Sequence, residues 1–441
     1  MTGDSTMHRL VLLLLIVLAP CQGLRAQGLS IDIVDGSPSA IPIAVVPFAF
    51  EGAGLPPGTD VAAVIAADFN RSGQFRALPK ADVVEFPARQ SEVKFPTWRV
   101  LKQDFLLLGR VLDSDDGELH VEFELFDVAK QTQLLHMRLP ARPAELRGTA
   151  HRIADLAYEK ILGVRGAFWT RIAYVTSTGL GSARQYSLMI ADADGFNPQT
   201  VVRSREPLLS PAWSPDGQRM AYVSFERGNS SIFVQEIGTG ARQVVASYKG
   251  INGAPAFSPD GTRLALTLSM SGNPEINVMD LATRRTTPIT RHFSIDTEPH
   301  WTPDGRGLIF TSDRAGRPQL YQVPATGGDP VRITFQGEYN ARASVSYDGK
   351  LIAMAQGNGN VYRIAVLDRS LGGPGELRQL SPGNLDESPS FAPNGSMILY
   401  AAREGRRGVL YAVSANGRVR QRLVLAEGDV REPAWSPFRQ R

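Results

Sequence analysis

The segment "SPAWSPDGQRMAYVSF" at Ser210 returns, altered but recognisable, as "APAFSPDGTRLALTLS" at Ala254, "EPHWTPDGRGLIFTSD" at Glu298, "RASVSYDGKLIAMAQG" at Arg342 and "SPSFAPNGSMILYAAR" at Ser388. Its turn prolines fall at Pro215, Pro259, Pro303, Pro393 and Pro437, with Tyr347 in the same place between the third and fourth, so successive spacings are 44, 44, 44, 46 and 44. A period of about 40 to 50 residues is that of a four-stranded propeller blade, because four strands of about five residues with short connections fill it. Within one unit "PAWS" reads as an inner strand and "SPDG" as a tight turn, with Pro215 presetting φ and Gly217 free to take a positive φ. "RMAYVSF" is the alternating return, and "SIFVQEI" and "ARQVVAS" are the third and fourth strands.

Counting the strand after the turn gives six units, of which the first, "RIAYVTS" at Arg171, lacks an inner strand, while "EPAWSP" at Glu432 has nothing behind it. The fragments complete each other. Residues Glu432–Ser436 are therefore expected to pair beside Arg171–Ser177 and close the ring, which removes an open sheet edge. The expected fold is two-domain: a mixed α/β amino-terminal domain at 27–165, then an all-β six-bladed propeller at 166–441 closed by the C-terminal strand. The turn residues Asp216, Asp260, Asp304 and Asp348 could be read as ligands, but Asn394 serves as well in the fifth copy, which marks them as turn-formers bonding their own backbone. Trp213, Trp301, Trp435, Phe257 and Phe391 recur at one inner-strand position and are expected to pack between blades rather than offer a stacking platform.

Before the ring, "IPIAVVPFAF" reads as a buried strand, and "TDVAAVIAADFNRSGQF" as a helix capped by Thr59 or Asp60 and ending near Gly73. "QDFLLLGRVLD", "ELHVEFELFDV" and "QLLHMRL" read as strands, the first two joined by a hairpin, and "AELRGTAHRIADLAYEKILG" as a second amphipathic helix. Helices on one face of the sheet are expected.

At the amino end "MHRLVLLLLIVLAPCQGLRAQG" has a basic start, an apolar run and small residues, the layout of a signal peptide spanning 1–26 and cleaved after Ala26, with Met1 and Met7 both candidate starts. Cys21 is the single cysteine, and a lipid attached to it is the rival reading, disfavoured by Pro20 beside it. Cleavage leaves an exported chain without thiols, stabilised by buried area and strand pairing, and no later apolar stretch is long enough to span a membrane. With 441 residues and 43% hydrophobic content such a chain can bury more than one core. Lys plus Arg exceed Asp plus Glu by 47 − 44 = 3, too little for a nucleic-acid-binding face.

Signs of catalysis are missing. No G-x-S-x-G or phosphate-cradling G-x-x-x-x-G-K occurs, and His120, His136, His151, His292 and His300 show no metal spacing. No enzyme, catalytic residue or metal ligand is expected.

"IPIAVVPF" and "VAAVIAADFNRSGQF", followed in order by "RIAYV", "SPAWSPDG", "NGAPAFSPDG", "DTEPHWTPDG", "TSDRAGRPQLY", "LDESPSFAPNG" and "PAWSP", closely resemble the TolB family, periplasmic propeller proteins of the Tol-Pal envelope system of Gram-negative bacteria. The resemblance covers essentially the whole mature chain. It implies a monomeric periplasmic scaffold that binds the lipoprotein Pal at the channel mouth and TolA through its amino terminus, in support of outer-membrane integrity and constriction at cell division. Bacteriocins exploit the same surface in the family. Positions matching the family's Pal surface are Asn252, Gly253, Ala254, Thr297 and Glu298, with Ile251 standing where members can carry a histidine. The matching TolA segment is "QGLSIDIV", with Ser30, Ile31, Asp32, Ile33 and Val34; docking back on its own domain and adding to another protein's sheet are mutually exclusive for such a strand.

The residues point to the same end of the ring. Segments preceding the inner strands place Asp296, Glu298, Asp386, Glu387 and Glu432 around half of the mouth with Arg342 opposing, an acidic arc expected to steer basic groups of a partner. A bare calcium site in the arc is compatible with this pattern. The alternative is a secreted propeller enzyme, a lyase or hydrolase using channel carboxylates.

Overall fold

The computed structural model describes residues 40–113, 118–423, 425 and 428–440; the expected leader, Cys21, the segment Ser30–Val34 and the centre of the "DSDDGE" turn lie outside the described residues. The amino-terminal unit is a mixed sheet of β1 (Ile41–Val45), β2 (Ala49–Glu51), β3 (Phe75–Ala77), β4 (Phe105–Asp113), β5 (Leu119–Asp127) and β6 (Thr132–Ala141). Its order is β3-β1-β4-β5-β6 with β2 also on β4, parallel among β1 to β4 and antiparallel from β4 to β6. "IPIAVVPFAF" thus divides into two strands where one was expected, because Pro47 has no N–H to continue the ladder. Helix α1 (Val61–Ser72) starts where expected: Asp60 accepts the Ala63 N–H at 3.0 Å, and Gly73 ends the helix at φ 66°.

Helices α1 and α3 (Leu146–Leu162) cover one face, burying Ile65, Phe69, Ile153 and Ala157 against Ile43, Leu107 and Phe123. The expectation of helices on one face alone fails. A short helix α2 (Phe95–Val100) lays the fully buried Trp98 on the other face against Ala44, Val46, Leu106 and Leu108. "AVV" and "FLLL" are apolar at successive positions because both sides of β1 and β4 are covered.

The propeller has six four-stranded antiparallel blades. Asp429–Trp435 is the inner strand of blade 1 and pairs with Arg171–Thr178 from Asp429 opposite Ser177 to Trp435 opposite Ile172, so the ring closes as the repeat arithmetic predicts. The inner strands of blades 2 to 6 are Leu208–Trp213, Asn252–Phe257, Asp296–Trp301, Tyr339–Val345 and Glu387–Phe391. In every full turn the Asp or Asn accepts a backbone N–H two residues on, as Asp216 does from Gln218 at 2.9 Å and Asn394 from Ser396 at 3.1 Å.

The inner-strand aromatics join neighbouring blades. Trp213 Nε1 donates to the Ala434 carbonyl at 3.1 Å, and Trp301 Nε1 to that of Ala256 at 3.0 Å. The Arg that opens the next strand stacks on its neighbour's ring, with Arg171 5.0 Å from the Trp213 centroid and Arg263 4.6 Å from that of Trp301.

Where the two units meet, the loop carrying Asp194 of blade 1 enters between α1 and α3. Asp194 is buried and faces Arg147, His151 Nε2 at 3.6 Å and Arg71 at 4.0 Å. Asp68 completes the cluster, 2.7 Å from His151 Nδ1 and 2.8 Å from Arg71. Burial opposes ionisation of Asp194, yet Arg71, His151 and Arg147 bring its carboxyl down to about 2. Asp155 behaves oppositely. Its oxygens accept the Phe168 and Trp169 N–H groups of the connecting segment, but burial pushes its carboxyl up to about 6.

Asp155 therefore keeps a proton in the folded chain where the unfolded chain, with an ordinary value of 3.8, has lost it. The resulting stabilisation is full below pH 3.8 and disappears as pH rises through about 6. Such a shift corresponds to about 3 kcal/mol. In urea titrations, the unfolding free energy of wild type relative to Asp155→Asn should fall by about 2–3 kcal/mol from about pH 4 to about pH 7; parallel pH profiles would count against it.

Candidate functional site

Inner strands begin at one end of the channel, where antiparallel order also gathers the loops between second and third strands and those leading into each inner strand. Near that end every inner strand has one residue in the left-handed region: Ser210 (φ 50°), Ala254 (45°), Glu298 (55°), Arg342 (56°), Ser388 (56°) and Glu432 (53°). At each of them the register to the second strand shifts, as between Leu209 and Ala212. Such bulges re-aim a side chain, and a left-handed non-glycine residue costs about 1–3 kcal/mol. These residues line a central cavity of about 320 Å³, walled deeper down by His300, Trp213, Trp301 and Trp435.

Arg342 reaches across it. Its guanidinium lies 3.1 Å from Glu298 on blade 4 and 2.8 Å from Glu432 on blade 1, and donates to Ser388 Oγ on blade 6. The same carboxylates accept backbone N–H groups of the next blade, Glu298 from Arg342 at 3.2 Å and Glu432 from Ser210 at 3.1 Å. Burial acts on both acids, but Arg342 holds Glu432 below the usual carboxylate range, whereas burial prevails at Glu298 and raises it. Burial notwithstanding, Glu432 and Glu298 hold Arg342 above the usual guanidinium range. The waist of the channel is an ion-paired bridge between blades.

This corrects the acidic arc. Asp296 is fully buried and paired to Arg314 at 2.8 Å. Asp386 is buried and accepts the Gly383 N–H at 3.1 Å; burial, the largest influence on its carboxyl, raises it. Glu298 and Glu432 line the cavity but are bound to Arg342, which bridges them rather than opposing them. Glu387 alone of the five is half-buried without an ion pair among the described residues. Asn252 is likewise fully buried: its amide accepts the Tyr248 N–H and donates to the Tyr248 and Gly250 carbonyls, so it fastens the loop that presents Gly253 and Ala254. Thr297 is half-buried, its hydroxyl 3.3 Å from that of Thr267. Oxygens already spent on Arg342 and Arg314 do not suit calcium, which takes about six to eight free oxygen ligands. Nor do they suit a lyase or hydrolase needing a poised carboxylate.

Among the described residues, two groupings of histidine with carboxylates lie elsewhere. Asp68, His151 and Asp194 are already neutralised by Arg71 and Arg147, and Glu122 of the Glu122, Glu124 and His136 set is bound to Arg110 at 3.0 Å.

Sequence reasoning missed the apolar character of the mouth. Leu209, Ile251, Met270 and Ile295 are exposed there, with Leu180 at 84% and Phe293 at 87% exposure. Leu209 stands near the start of the blade 2 inner strand, and the others sit in irregular loops with no period to betray them; the matched position of Ile251 was the one signal. Beside the waist, Tyr339, Tyr362, Leu385 and Arg403 line a second recess of about 330 Å³.

Comparison with known proteins accounts for both units. A model described as the TolB amino-terminal domain matches residues 29–134, and one described as the TolB beta propeller domain matches 158–439. The Tol-Pal system protein TolB of Xanthomonas oryzae pv. oryzae is 69% identical over 427 residues, covering 97% of each chain. That of Xanthomonas campestris pv. campestris is 70% identical over 415 residues, covering 94% of each. The crystal structure of TolB from Acinetobacter baumannii superposes with a TM-score of 0.85 at 42% identity, covering 92% of this chain and 99% of that one.

Removing the bridge by Arg342→Ala leaves Glu298 and Glu432 facing each other across the waist. With side chains 12–26% exposed, the expected loss in urea unfolding is about 1–3 kcal/mol, below that of a fully buried pair. Because Glu432 is depressed, the part it contributes is full above its ordinary 4.5 and shrinks as pH falls below it; a loss that grows with acid would contradict the assignment.

Proposed function

The chain belongs to the TolB family, and from that premise we propose that it is the periplasmic scaffold of its Tol-Pal system, binding Pal at the channel mouth and TolA through its amino terminus. The mouth carries this reading. Exposed apolar side chains surround a strained, ion-bridged waist, so a partner can bury Ile251, Phe293 and their neighbours against a surface that does not rearrange. Gly253, Ala254, Thr297 and Glu387 lie at the inner margin of that contact, Glu298 and Glu432 set its floor, and the buried Asn252 and Asp386 hold the loops. Bacteriocins that reach the periplasm compete for the same mouth. Membership of a non-enzymatic family and committed channel carboxylates both argue against catalysis.

For TolA the supporting feature is "QGLSIDIV", an alternating segment just before β1, suited to adding a strand to a partner's sheet. Pal occupancy shifts this segment between docked and free states, which ties the two partners together in supporting outer-membrane integrity and constriction at division.

Burying a large aliphatic or aromatic side chain is worth about 1.5–3 kcal/mol. Isothermal titration with the soluble domain of the organism's own Pal should therefore show binding by wild type and an affinity at least about tenfold lower for Ile251→Ser with Phe293→Ser, at unchanged thermal stability. Deleting residues 27–34 should abolish TolA binding and spare Pal; a deletion variant that still binds TolA refutes that assignment.

A further inference from the structure

Above the ion-paired waist, the rim of the mouth carries exposed cations of its own. Arg184, Arg205, Arg227, Lys249 and Arg291 lie in five of the six mouth-side loops from blade 1 to the start of blade 4; all are exposed and none has an ion pair among the described residues. Arg403 and Arg406, equally exposed and unpaired, extend the arc onto blade 6. Several carboxylates at the same end are already paired to cations outside the arc: Glu226 to Arg242 at 3.0 Å, Glu338 to Arg317, and Glu404 to Arg422 at 3.0 Å. Among the described residues at this end, Glu206, Asp313 and Glu387 are the exposed or half-buried carboxylates without a cationic partner. Among the described residues, the exposed side chains of this rim therefore carry more positive than negative charge.

We infer that the mouth is a cationic rim around an apolar centre, and that the partner docking there presents carboxylates around an apolar plug, the reverse of the polarity read from sequence. The inference rests on the docking reading above and specifies its chemistry. The cations stand on loop tips around the exposed apolar residues, so they stay hydrated at the periphery while Ile251, Phe293 and Ile295 are covered. Charges so placed act mainly on encounter, through a field that salt screens over about 8 Å at physiological ionic strength. Lifetime of the complex is left to the apolar contact. An anionic lipid surface would also suit cations beside apolar side chains, but this end is built as a concave ring with a recess, a shape that fits a protruding protein surface rather than a flat bilayer.

The test is stopped-flow association with the soluble domain of Pal from about 50 to about 300 mM NaCl. Wild type is compared with the triple variant Arg205→Glu, Arg227→Glu, Lys249→Glu, and with Arg306→Glu, Lys350→Glu on the opposite face as control. The expected result is a wild-type kon that falls about tenfold or more with salt, and a low-salt kon about tenfold or more slower in the triple variant. Its koff stays within about twofold, and the control matches wild type. Intact binding whose kon ignores both salt and the triple variant overturns the inference and leaves the docking reading standing. Absence of binding by wild type overturns both. Phosphatidylglycerol vesicles that retain wild type but not the triple variant, with Pal kinetics unchanged, overturn it in favour of a lipid surface.

Discussion

Everything in the propeller depends on one antiparallel pairing, that of Asp429–Trp435 with Arg171–Thr178. Without it blade 1 has no inner strand, and Ile172, Ala173 and Tyr174, all essentially fully buried, lose one side of their packing. The consequences reach the axis, since this strand carries Glu432, which receives Arg342 from blade 5 and caps the Ser210 N–H on blade 2. A contact between residues more than 250 positions apart is costly in loop-closure entropy. Closure compensates by abolishing two sheet edges and by seating Trp435 Nε1 on Thr170 at 2.8 Å.

Closure also makes the backbone strain tolerable. Six left-handed residues in a ring would relax if any inner strand could slide. Trp213 and Trp301 bonded to the neighbouring inner strands, and arginines stacked on those rings, oppose sliding at the level below. What results is a mouth whose floor is stiff and whose rim consists of loops. Such a division suits recognition: a preordered floor lowers the entropy lost on binding, and the exposed side chains above it supply the area.

The architecture was legible because it is written in spacing. Proline and glycine at a 44-residue step declare the blade, and the half-unit at Glu432 declares its partner at Arg171. Asn394 in place of aspartate marks the turn chemistry in the sequence itself. Spacing says which end of a strand a residue occupies, but not what its side chain meets. Asp296 and Glu298 stand two positions apart at the same end, yet one turns inward to Arg314 and the other faces the channel. Arg342 was placed at the mouth, but its bond to Glu432, 90 residues away, depends on the bulges at both, and no local pattern signals those. The short β3 and α2 escaped notice for a different reason, having too few residues to show a period. His151 resembled any helical histidine until Asp68, 83 residues earlier, was brought against it.

Blade 1 joins these features. Its inner strand supplies Glu432 to the waist, and the loop between its third and fourth strands, at the opposite end, supplies Asp194 to the seam with α1 and α3. The C-terminal tail continues from that inner strand past Ser436 and places Arg439 on Asp192 at 2.7 Å, with Phe438 under the Arg165 guanidinium in the segment leading from α3. One strand and its continuation therefore touch the channel waist, the outer part of the same blade and the connection to the amino-terminal unit. Packed interiors transmit displacement because they have few voids to absorb it. Glu432 sits in the bulge between Arg431 and Ala434, and the ladder to Arg171–Thr178 on either side of it, fixed by the pairing that closes the ring, holds both ends of that bulge. The sealing of the propeller and the continuity between its mouth and its seam are thus the same set of hydrogen bonds.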